Sequence, residues 1–518
     1  MTLSKRQYKT ELRFGTGGIR AIMGPRPNQI NEKTISIITQ ALANILNKRY
    51  SNQVVRVSIG YDSRKNSYYY AKICQKVLSS NGIETLLFPE LVPTPILVYS
   101  IQKFKCQAGI MITASHNSKE YNGYKVYGET GVQLTPDLAY AVQSEIEKLD
   151  YSMVNEEENS NLNHLLNMEI MEDFYTEIEK KLDYVEKEKP IRIAFSALHG
   201  TSSKAALNIL NRNGFKDVFM EPQQCIPDEK FSTCPTPNPE DPEAMEYVIR
   251  FGKTVNADVV YATDPDGDRL GIGIWNGNNY SLLTGNEIGL LMLDYLLSTR
   301  NYNENAKVFK TIVTSDLLDD IVHESGYEVI SVLNGFKYIG DQVDILEQNG
   351  EEDNFILGVE ENYGYLVGTY IKDKDSIGAL LLFSNLLQFY KNKGISVLDR
   401  LKYIYNKHGY REQKVVSYTF EDEDGENKIK EYMNWFRLIS PNKFWVEKTD
   451  YLDGIHGLPK ENIIKFSSVT KDSILIRPSG TEPKLKLYFS LCSRSLEELI
   501  SKMRPLDELI TLLFSKEE

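Results

Sequence analysis

Residues 257–271 read ADVVYATDPDGDRLG, and this stretch decides the fold. A short apolar run, ADVVYAT, ends at a Pro/Gly turn that carries three carboxylates, Asp264, Asp266 and Asp268. An apolar run of this length, bounded by turn residues, is typical of a buried strand. In open α/β sheets, ligands bind beyond the carboxyl ends of the strands. The stretch therefore predicts a buried strand with a polar site at its end.

The three carboxylates at alternate positions predict a metal site. They can converge only if a positive charge neutralises them, and ligands that are all oxygen select a hard divalent cation, Mg²⁺ or Ca²⁺. An EF-hand loop is excluded, because its glycine would stand two positions later and its twelfth residue here is Trp275. A solvated acidic turn is the alternative, although it explains poorly why Arg269 and apolar residues flank the turn.

Two other stretches repeat the order strand, helix, strand, helix, strand that leads to Asp264. In the first stretch, the third strand AGIMITA runs into Ser115. In the last one, the strand NFILGV runs into Glu360, Glu361 and Asn362. The most unusual residues of each unit thus follow its third strand, and three such strand ends can converge on one cleft.

The chain after about Tyr410 has a different pattern. Strand-like segments, KVVSYTF, ILIRP and KLKLYFSL, predict a smaller α+β unit, closed by a helix from Leu496 to Phe514. The acidic run EDEDGEN at 421–427 is expected to be a solvated loop. We predict four domains: 1–188 with the Ser115 loop, 189–304 with the metal-binding loop, 305–409 with the Glu360 loop, and a C-terminal domain at 410–518.

Composition excludes several classes of protein. The net charge of -13, from 72 acidic and 59 basic residues, disfavours nucleic acid as a partner. The five cysteines include no C-x-x-C pair, which argues against a disulfide framework or zinc site and for a reducing compartment. The N-terminal segment lacks the apolar region of a signal peptide, and no apolar run reaches the ~18 residues of a membrane span. These features predict a soluble, cytoplasmic protein without a membrane partner.

The segment Thr113-Ala114-Ser115-His116-Asn117 places a hydroxyl next to an imidazole at a strand end. Ser115 could be a nucleophile or a phosphorylated side chain, or equally an ordinary loop serine. A Ser-His-Asp hydrolase is disfavoured, because no G-x-S-x-G elbow surrounds Ser115.

The segment RPSGTEPK at 477–484 predicts a phosphate-binding loop. It combines a guanidinium, two hydroxyls, a glycine that frees backbone N–H groups, and a lysine. These residues are Arg477, Ser479, Gly480, Thr481 and Lys484. The alternative is an ordinary turn between two strands.

Two weaker signals involve single cations. FGTGGIR at 14–20 is glycine-rich but is neither a dinucleotide fingerprint nor a Walker A motif. Arg20 in this segment can be interpreted equally as an anion ligand or as an ordinary loop residue. Lys374 could act as a proton shuttle if its pKa were lowered, but a surface lysine before a helix cap is the simpler interpretation.

Five segments together resemble the α-D-phosphohexomutase family, and closely its phosphoglucomutase/phosphomannomutase branch. They are FGTGGIR, TASHNSKEYNGYKVY, TDPDGDRLG, GVEENYGY and RPSGTEPK, and they follow one another in the family's order through nearly the whole chain. The resemblance implies three similar α/β units with mixed sheets around a central cleft, followed by a smaller α+β C-terminal domain.

The resemblance also implies roles for individual residues. Ser115 matches the phosphorylated serine, which completes a metal site with Asp264, Asp266 and Asp268. Arg269 matches the arginine beside the metal, and Glu360 and Asn362 match the sugar-binding loop. The site for the distal phosphate corresponds to Arg477, Ser479, Gly480 and Thr481, beside Lys484. Other residues of the cleft match Arg20, His116, Lys337 and Lys374, among which His116 and Lys374 are candidates for proton transfer.

The activity implied by the resemblance is interconversion of α-D-glucose 1-phosphate and glucose 6-phosphate. It would proceed through a phosphoserine and glucose 1,6-bisphosphate, the activator and intermediate, with one Mg²⁺ per chain, in a monomer or homodimer. A phosphopentomutase, a phosphomannomutase and a sugar-phosphate-binding protein without turnover are the alternatives. Ser118, Asn334 and Asn362 depart from the family's usual proline, threonine and serine, which bears on the preferred sugar more than on catalysis.

Overall fold

The protein was analysed as a computed structural model, which describes residues 8–15, 17–420, 425–455, 458–478 and 484–502. The described residues within Met1–Lys310 and Gly335–Val397 form one compact unit. Those within Thr311–Asn334 and Leu398–Glu518 form a second one. Within the described ranges, no helix combines the length and the apolar character that crossing a membrane requires.

The first sheet of the first unit has six strands in the order β1-β5-β4-β2-β3-β6. Strands β2, β3, β4 and β6 run parallel, and the antiparallel strands β5 and β1 extend the sheet beyond β4. The strands are β1 (Ile19–Ile22), β2 (Arg56–Tyr61), β3 (Glu84–Leu87), β4 (Ala108–Ile112), β5 (Tyr121–Gly128) and β6 (Asn163–Leu165). The helices are α1 (Glu32–Arg49), α2 (Ser67–Ser80), α3 (Thr94–Lys103), α4 (Pro136–Ile146) and α5 (Ile170–Lys181).

Helix α1 shows how the sequence fixes these elements. Asn31 and Thr34 form a capping box, in which each side chain accepts a hydrogen bond from the other's backbone N–H. Lys48 and Arg49 lie in the last turn, where positive charge complements the helix dipole. Apart from the partly buried Ile45, its isoleucines and leucines are buried in the core that the helix forms with α2 and the first sheet.

The second sheet has the order β11-β10-β9-β7-β8. Strand β9 is central and parallel to β7, and β10 returns antiparallel beside it. The strands are β7 (Ile193–Ser196), β8 (Val218–Met220), β9 (Val259–Thr263), β10 (Leu270–Trp275) and β11 (Tyr280–Leu282), and the helices are α6 (Ser203–Arg212), α7 (Pro242–Thr254) and α8 (Gly285–Thr299).

In the third stretch, strand β12 pairs in parallel with β14, and β14 pairs antiparallel with β15. The intervening helix α9 and strand β13 belong to the second unit. The bounds are β12 (Lys307–Thr311), α9 (Leu317–Glu324), β13 (Glu328–Val332), α10 (Lys337–Asn349), β14 (Phe355–Glu360), β15 (Gly364–Leu366) and α11 (Ser376–Asn392).

The remainder of the second unit contains an antiparallel sheet in the order β16-β20-β19-β18-β17, on which helix α13 packs through an apolar core. Its elements are α12 (Val397–His408), β16 (Tyr410–Thr419), α13 (Gly425–Leu438), β17 (Trp445–Asp450), β18 (Ile464–Ser468), β19 (Ser473–Pro478) and β20 (Lys484–Ser493), followed by a helix that is described for 496–502.

The predicted fold class, three α/β units with mixed sheets and a smaller antiparallel α+β domain, is confirmed. The predicted loop at 421–427 is partly wrong, because residues 425–427 begin helix α13, while 421–424 lie outside the described residues. The four domain boundaries given above remain predictions, as does the helix beyond residue 502.

Candidate active site

Ser115 occupies a strained turn after strand β4. Its backbone is left-handed, with φ of 53°, and its side chain is buried. Its backbone N–H donates to Thr113 Oγ1 at 2.8 Å. Its Oγ donates to Asp264 Oδ2 at 2.8 Å, and His116 Nδ1 lies 3.2 Å from the same oxygen. The hydroxyl that follows β4 is thus in contact with the carboxylate that follows β9.

Asp264, Asp266 and Asp268 form a buried cluster. One oxygen from each lies within 4.8 Å of the others. Among the described residues, neither Asp266 Oδ1 nor Asp268 Oδ1 has a hydrogen-bond partner. A buried carboxylate oxygen without a partner is costly unless a cation binds it. An all-carboxylate donor set with two such oxygens fits a hard divalent cation.

Asp264 has a different environment from the other two. Its Oδ1 accepts backbone hydrogen bonds from Asp268 and Arg269, both at 3.1 Å, which closes the turn. Burial, together with the nearby carboxylates Asp266 and Asp268, raises the pKa of Asp264 well above its usual value.

Lys125 on strand β5 neutralises the other two carboxylates. Its Nζ lies 2.6 Å from Asp266 Oδ2 and 3.1 Å from Asp268 Oδ2. Thr94 Oγ1, at the start of α3, donates to Asp266 Oδ2 at 3.0 Å. Burial favours the neutral form of Asp266, but Lys125 outweighs burial and holds the pKa of Asp266 below its usual value. Lys125 therefore contacts the Oδ2 atoms of Asp266 and Asp268, and the Oδ1 atoms are the ones that lack a hydrogen-bond partner among the described residues.

Arg269 joins the loop of the three aspartates to the loop after β14. Its backbone forms a β-bridge with Gly364, and its Nη1 donates to Glu240 Oε1 at 2.5 Å. Lys374 contacts the same two loops. Its Nζ is 3.3 Å from Glu360 Oε2 and 3.8 Å from Asp268 Oδ2. The three strand ends that the repeat singled out are thereby linked in one network.

The two candidates for proton transfer differ in charge state. Burial, followed by the positive charges of Arg269 and Arg20, lowers the pKa of His116 well below its usual value. Burial acts in the same direction on Lys374, but Asp268 and Glu360 outweigh it and raise the pKa of Lys374. His116 is thus neutral, whereas Lys374 is charged. The lowered lysine pKa that a proton shuttle would require is not found.

Other predicted site residues have separate positions. Arg20 is exposed on β1 and donates to Asn117 Oδ1 at 3.2 Å, beside the Ser115 turn. Asn362 is half-buried in the turn after β14, and Lys337 is buried at the start of α10, with Nζ 4.6 Å from the centre of the Tyr338 ring. Arg477 is the next-to-last residue of β19 and Lys484 begins β20, both in the second unit. Ser479, Gly480 and Thr481 lie outside the described residues.

Three further residues of the site, Lys125, Thr94 and Glu240, were not predicted from the sequence. Lys125 stands inside the motif TASHNSKEYNGYKVY, and a lysine within an apolar strand is a signal in itself, because an unpaired ammonium group is rarely buried. Thr94 stands in the Pro93-Thr94-Pro95 break, where prolines mark a helix start. Glu240 has no comparable local signal.

Comparison with known proteins identifies the class. The family models "Phosphoglucomutase/phosphomannomutase, alpha/beta/alpha domain" I, II and III match residues 11–153, 172–277 and 284–407. The phosphoglucomutase of Staphylococcus epidermidis is 34% identical over 516 residues, which cover 95% of this chain and 93% of that protein. The phosphomannomutase of Mycoplasmoides pirum is 31% identical over 521 residues, covering 97% and 92%.

Solved structures agree at the level of the fold. The open form of Paramecium parafusin, a phosphoglucomutase, superposes with a TM-score of 0.75 at 20% identity, covering 98% of this chain and 96% of that one. The putative phosphomannomutase of Thermus thermophilus gives 0.73 at 18% identity, covering 96% and 100%. The protein is therefore an enzyme of the isomerase class. It belongs to the phosphoglucomutase/phosphomannomutase family.

Proposed function

We propose that this enzyme is a phosphoglucomutase, which interconverts α-D-glucose 1-phosphate and glucose 6-phosphate through glucose 1,6-bisphosphate. The observation that carries the proposal is the contact between Ser115 Oγ and Asp264, within a carboxylate cluster that has two free oxygens. Phosphoryl transfer depends on positioning and charge neutralisation, and this site supplies both. The Staphylococcus relatives named phosphoglucomutase, at 31–34% identity, favour glucose as the sugar.

In this proposal, Ser115 carries the phosphoryl group in the active enzyme. The P–Oγ bond breaks as a bond forms between phosphorus and the free hydroxyl of the sugar monophosphate, giving the bisphosphate. The other phosphoryl group of the bisphosphate then returns to Ser115 Oγ. In the first step the proton of the attacking sugar hydroxyl passes by way of His116 to Ser115 Oγ, and in the return step the serine proton passes back by way of the same imidazole to the sugar oxygen that leaves; His116 Nδ1 lies 3.2 Å from Oγ.

We propose that Mg²⁺ is held by Asp264, Asp266, Asp268 and an oxygen of phosphorylated Ser115. When bound, it would offset the phosphoryl charge of about -1.5 to -2. Lys125 and Lys374 contribute two positive charges that offset part of the charge of the carboxylates.

We further propose substrate roles for the remaining predicted residues. Glu360, Asn362 and Lys337 would bind the sugar, and Arg20 and Arg269 would contact its phosphate. Arg477, Ser479, Gly480, Thr481 and Lys484 would hold the distal phosphate. A cytoplasmic location and a monomer or homodimer remain part of this proposal, and all five cysteines are free.

Ser115→Ala tests the chemistry. We expect the variant to fold and to lose mutase turnover, because it has no oxygen to phosphorylate. Intact mass after incubation with glucose 1,6-bisphosphate should show one added phosphoryl group on the wild type and none on the variant. Ser63→Ala, on a neighbouring loop, is the matched control. Full turnover by Ser115→Ala would exclude the mechanism.

Metal dependence and sugar preference need separate assays. Chelation should stop turnover, and Mg²⁺ should restore it; activity that survives complete chelation would refute the metal site. The M. pirum relative favours mannose as the second candidate sugar. The kcat/KM values for glucose, mannose and ribose 1-phosphates, each with a trace of its own bisphosphate, decide between them, and a clear preference for mannose or ribose would replace the glucose assignment.

A further inference from the structure

Arg64 is a buried cation that the proposed chemistry does not use. It follows strand β2 in the segment Asp62-Ser63-Arg64, and only 3% of it is exposed. Its Nε lies 3.2 Å from Asp62 Oδ2. Asp62 is itself fixed, because its Oδ1 accepts from the Arg64 backbone N–H at 2.9 Å and from Ser67 Oγ at 2.7 Å. The guanidinium thus forms an ion pair with a carboxylate that is itself held in place.

The other guanidinium nitrogens bind the turn that contains Ser115. Nη2 donates to the backbone carbonyls of Ser115 and Asn117. Nη1 donates to those of Ser118, at 2.8 Å, and Tyr121, at 3.2 Å. One side chain therefore fixes four carbonyls in a segment of seven residues. A planar guanidinium can do this because its donors diverge, whereas a lysine presents all its donors from a single point.

These bonds act on a strained residue. Ser115 has φ of 53°, which a residue with a side chain adopts only at a cost. Its N–H is held by Thr113 Oγ1 and its carbonyl by Arg64 Nη2. Both peptide groups of Ser115 are therefore anchored, and this turn directs Oγ towards Asp264.

Phe231 covers the face of the guanidinium. The centre of its ring lies 4.9 Å from Arg64 Cζ, and the ring is 1% exposed. It belongs to the loop between β8 and α7 in the second sheet. That loop is fixed through Thr233, whose Oγ1 is hydrogen-bonded with His199 Nε2 at 2.7 Å and accepts from Gln224 Nε2 at 3.2 Å. A cation over an aromatic face is stabilised most when water is excluded.

We propose that Arg64 is a positioning residue for the Ser115 hydroxyl. Phe231 holds the guanidinium of Arg64 in place, so the loop of the second sheet that carries Phe231 also contributes to the position of Ser115. The inference rests on the proposed function, in which Ser115 Oγ is the reacting atom. Arg64 does not touch the substrate in this scheme. It acts through the backbone of the Ser115 turn.

Arg64→Lys is the first test, since it keeps the charge and removes the fork. We expect kcat to fall about 100-fold with KM changed by less than about twofold, because a displaced nucleophile impairs the chemical step and leaves sugar binding intact. Loading of the phosphoryl group from glucose 1,6-bisphosphate, followed by intact mass, should slow in proportion. A kcat within about threefold of the wild type would overturn the proposal.

Two further variants separate positioning from general stability. Arg64→Ala should regain about tenfold in kcat with millimolar ethylguanidinium but not with ethylammonium, because only the former has the diverging donors. Phe231→Leu should lower kcat about fivefold at unchanged KM, since it removes only the aromatic face. If the Arg64 variants do not fold, Phe231→Leu decides: an unchanged kcat overturns the proposal, and the fivefold fall supports it.

Arg192 provides a matched control. Its guanidinium also binds backbone carbonyls, those of Val255 and Asn256, and lies 4.8 Å from the centre of the Phe219 ring. It stands at the start of β7, at the opposite end of that strand from the loops of the site. Arg192→Lys should leave kcat unchanged, and an equal loss there would overturn the specific role of Arg64.

A failure of the proposed function can be distinguished from a failure of the positioning role of Arg64. If the wild type shows neither mutase turnover nor mass gain from the bisphosphate, the proposed function is wrong. Amide hydrogen exchange of the peptide 113–121 then tests Arg64 alone. Faster exchange there in Arg64→Lys, but not in Arg192→Lys, supports the positioning role, and unchanged exchange overturns it.

Discussion

At the residue scale, the two oxygens of each carboxylate in the cluster differ in their partners. In Asp266 and Asp268, Oδ2 is held by Lys125 while Oδ1 has no hydrogen-bond partner among the described residues. Each side chain is therefore oriented before a cation arrives. Such outer contacts fix a ligand's rotamer and so reduce the entropy that metal binding must overcome.

Thr94 provides a test of this orientation. Thr94→Val removes the hydrogen bond to Asp266 Oδ2 and keeps the shape of the side chain. We expect Mg²⁺ affinity to fall about tenfold, the lower end of what loss of an outer contact costs. The measurement is a calorimetric titration with Mg²⁺ or the Mg²⁺ dependence of activity. Thr39→Val, which removes a buried hydroxyl within α1, is the control, and equal affinities in all three proteins would contradict the prediction.

The site residues that could be predicted from sequence are those with a positional signal. Ser115, Asp264 and Glu360 each stand at the end of a third strand, so the repeat marks them before any contact is known. Lys125 could not be placed in this way. Its role depends on β5 lying antiparallel beside β4, which sets the side of the sheet that its ammonium group reaches.

At the scale of elements, helix α11 begins at a buried ionisable cap. Asp375 accepts from the backbone N–H groups of Ile377 and Gly378 and from Tyr370 OH. Burial nevertheless raises the pKa of Asp375 from 3.8 to about 6. The folded state therefore holds this proton more tightly than the unfolded chain does. Its contribution to stability is complete below about pH 4 and is lost as the pH rises through 6.

Asp375→Asn tests this dependence, because asparagine also caps a helix and does not titrate. Between pH 4.5 and 7, we expect the free energy of unfolding of the variant, relative to the wild type, to rise by about 2 kcal/mol. Urea unfolding at several pH values measures it. Asp241→Asn, at the half-exposed cap of α7, is the control for replacing a cap carboxylate. A difference that does not vary with pH would refute the prediction.

Elements were predictable where local pattern and packing agree. The three strands before Ser115, Asp264 and Glu360 are short apolar runs, and each forms as expected. The prediction of a loop at 421–427 was wrong in part, because the acidic charge of this run indicated a loop where Gly425 and Glu426 begin a helix. Strands β17 and β18 were missed, since their alternating pattern is weak and β17 is irregularly paired.

At the scale of the whole molecule, the chain passes between the two compact units three times. The segment Thr311–Asn334 shares a unit with Leu398–Glu518. Helix α9 in that segment is acidic, and its partners lie far along the chain. Asp316 and Asp320 pair with Arg411, and Glu324 pairs with Lys407. Such long-range pairing has no signature in the local sequence, so hydrophobic pattern alone could not assign this segment.

A shortened chain tests the dependence of this segment on the C-terminal residues. In a chain that ends at Val397, α9 lacks the cations that pair with it, and we expect residues 311–334 to be cleaved rapidly in limited proteolysis. The first sheet should stay protected and serves as the internal control. Adding a separate 398–518 polypeptide should restore protection. Equal protection of 311–334 with and without that polypeptide would contradict the prediction.

The same pairing sets an order of events during protein synthesis. Asp316 and Arg411 are 95 positions apart. At about 5–20 residues per second, a ribosome needs about 5 to 20 s to travel from one to the other. For that interval the nascent α9 carries acidic side chains whose basic partners do not yet exist. The Ser115 and Asp264 loops are complete before it ends, so the part of the proposed site that lies in the first unit can fold while the second unit is still being made.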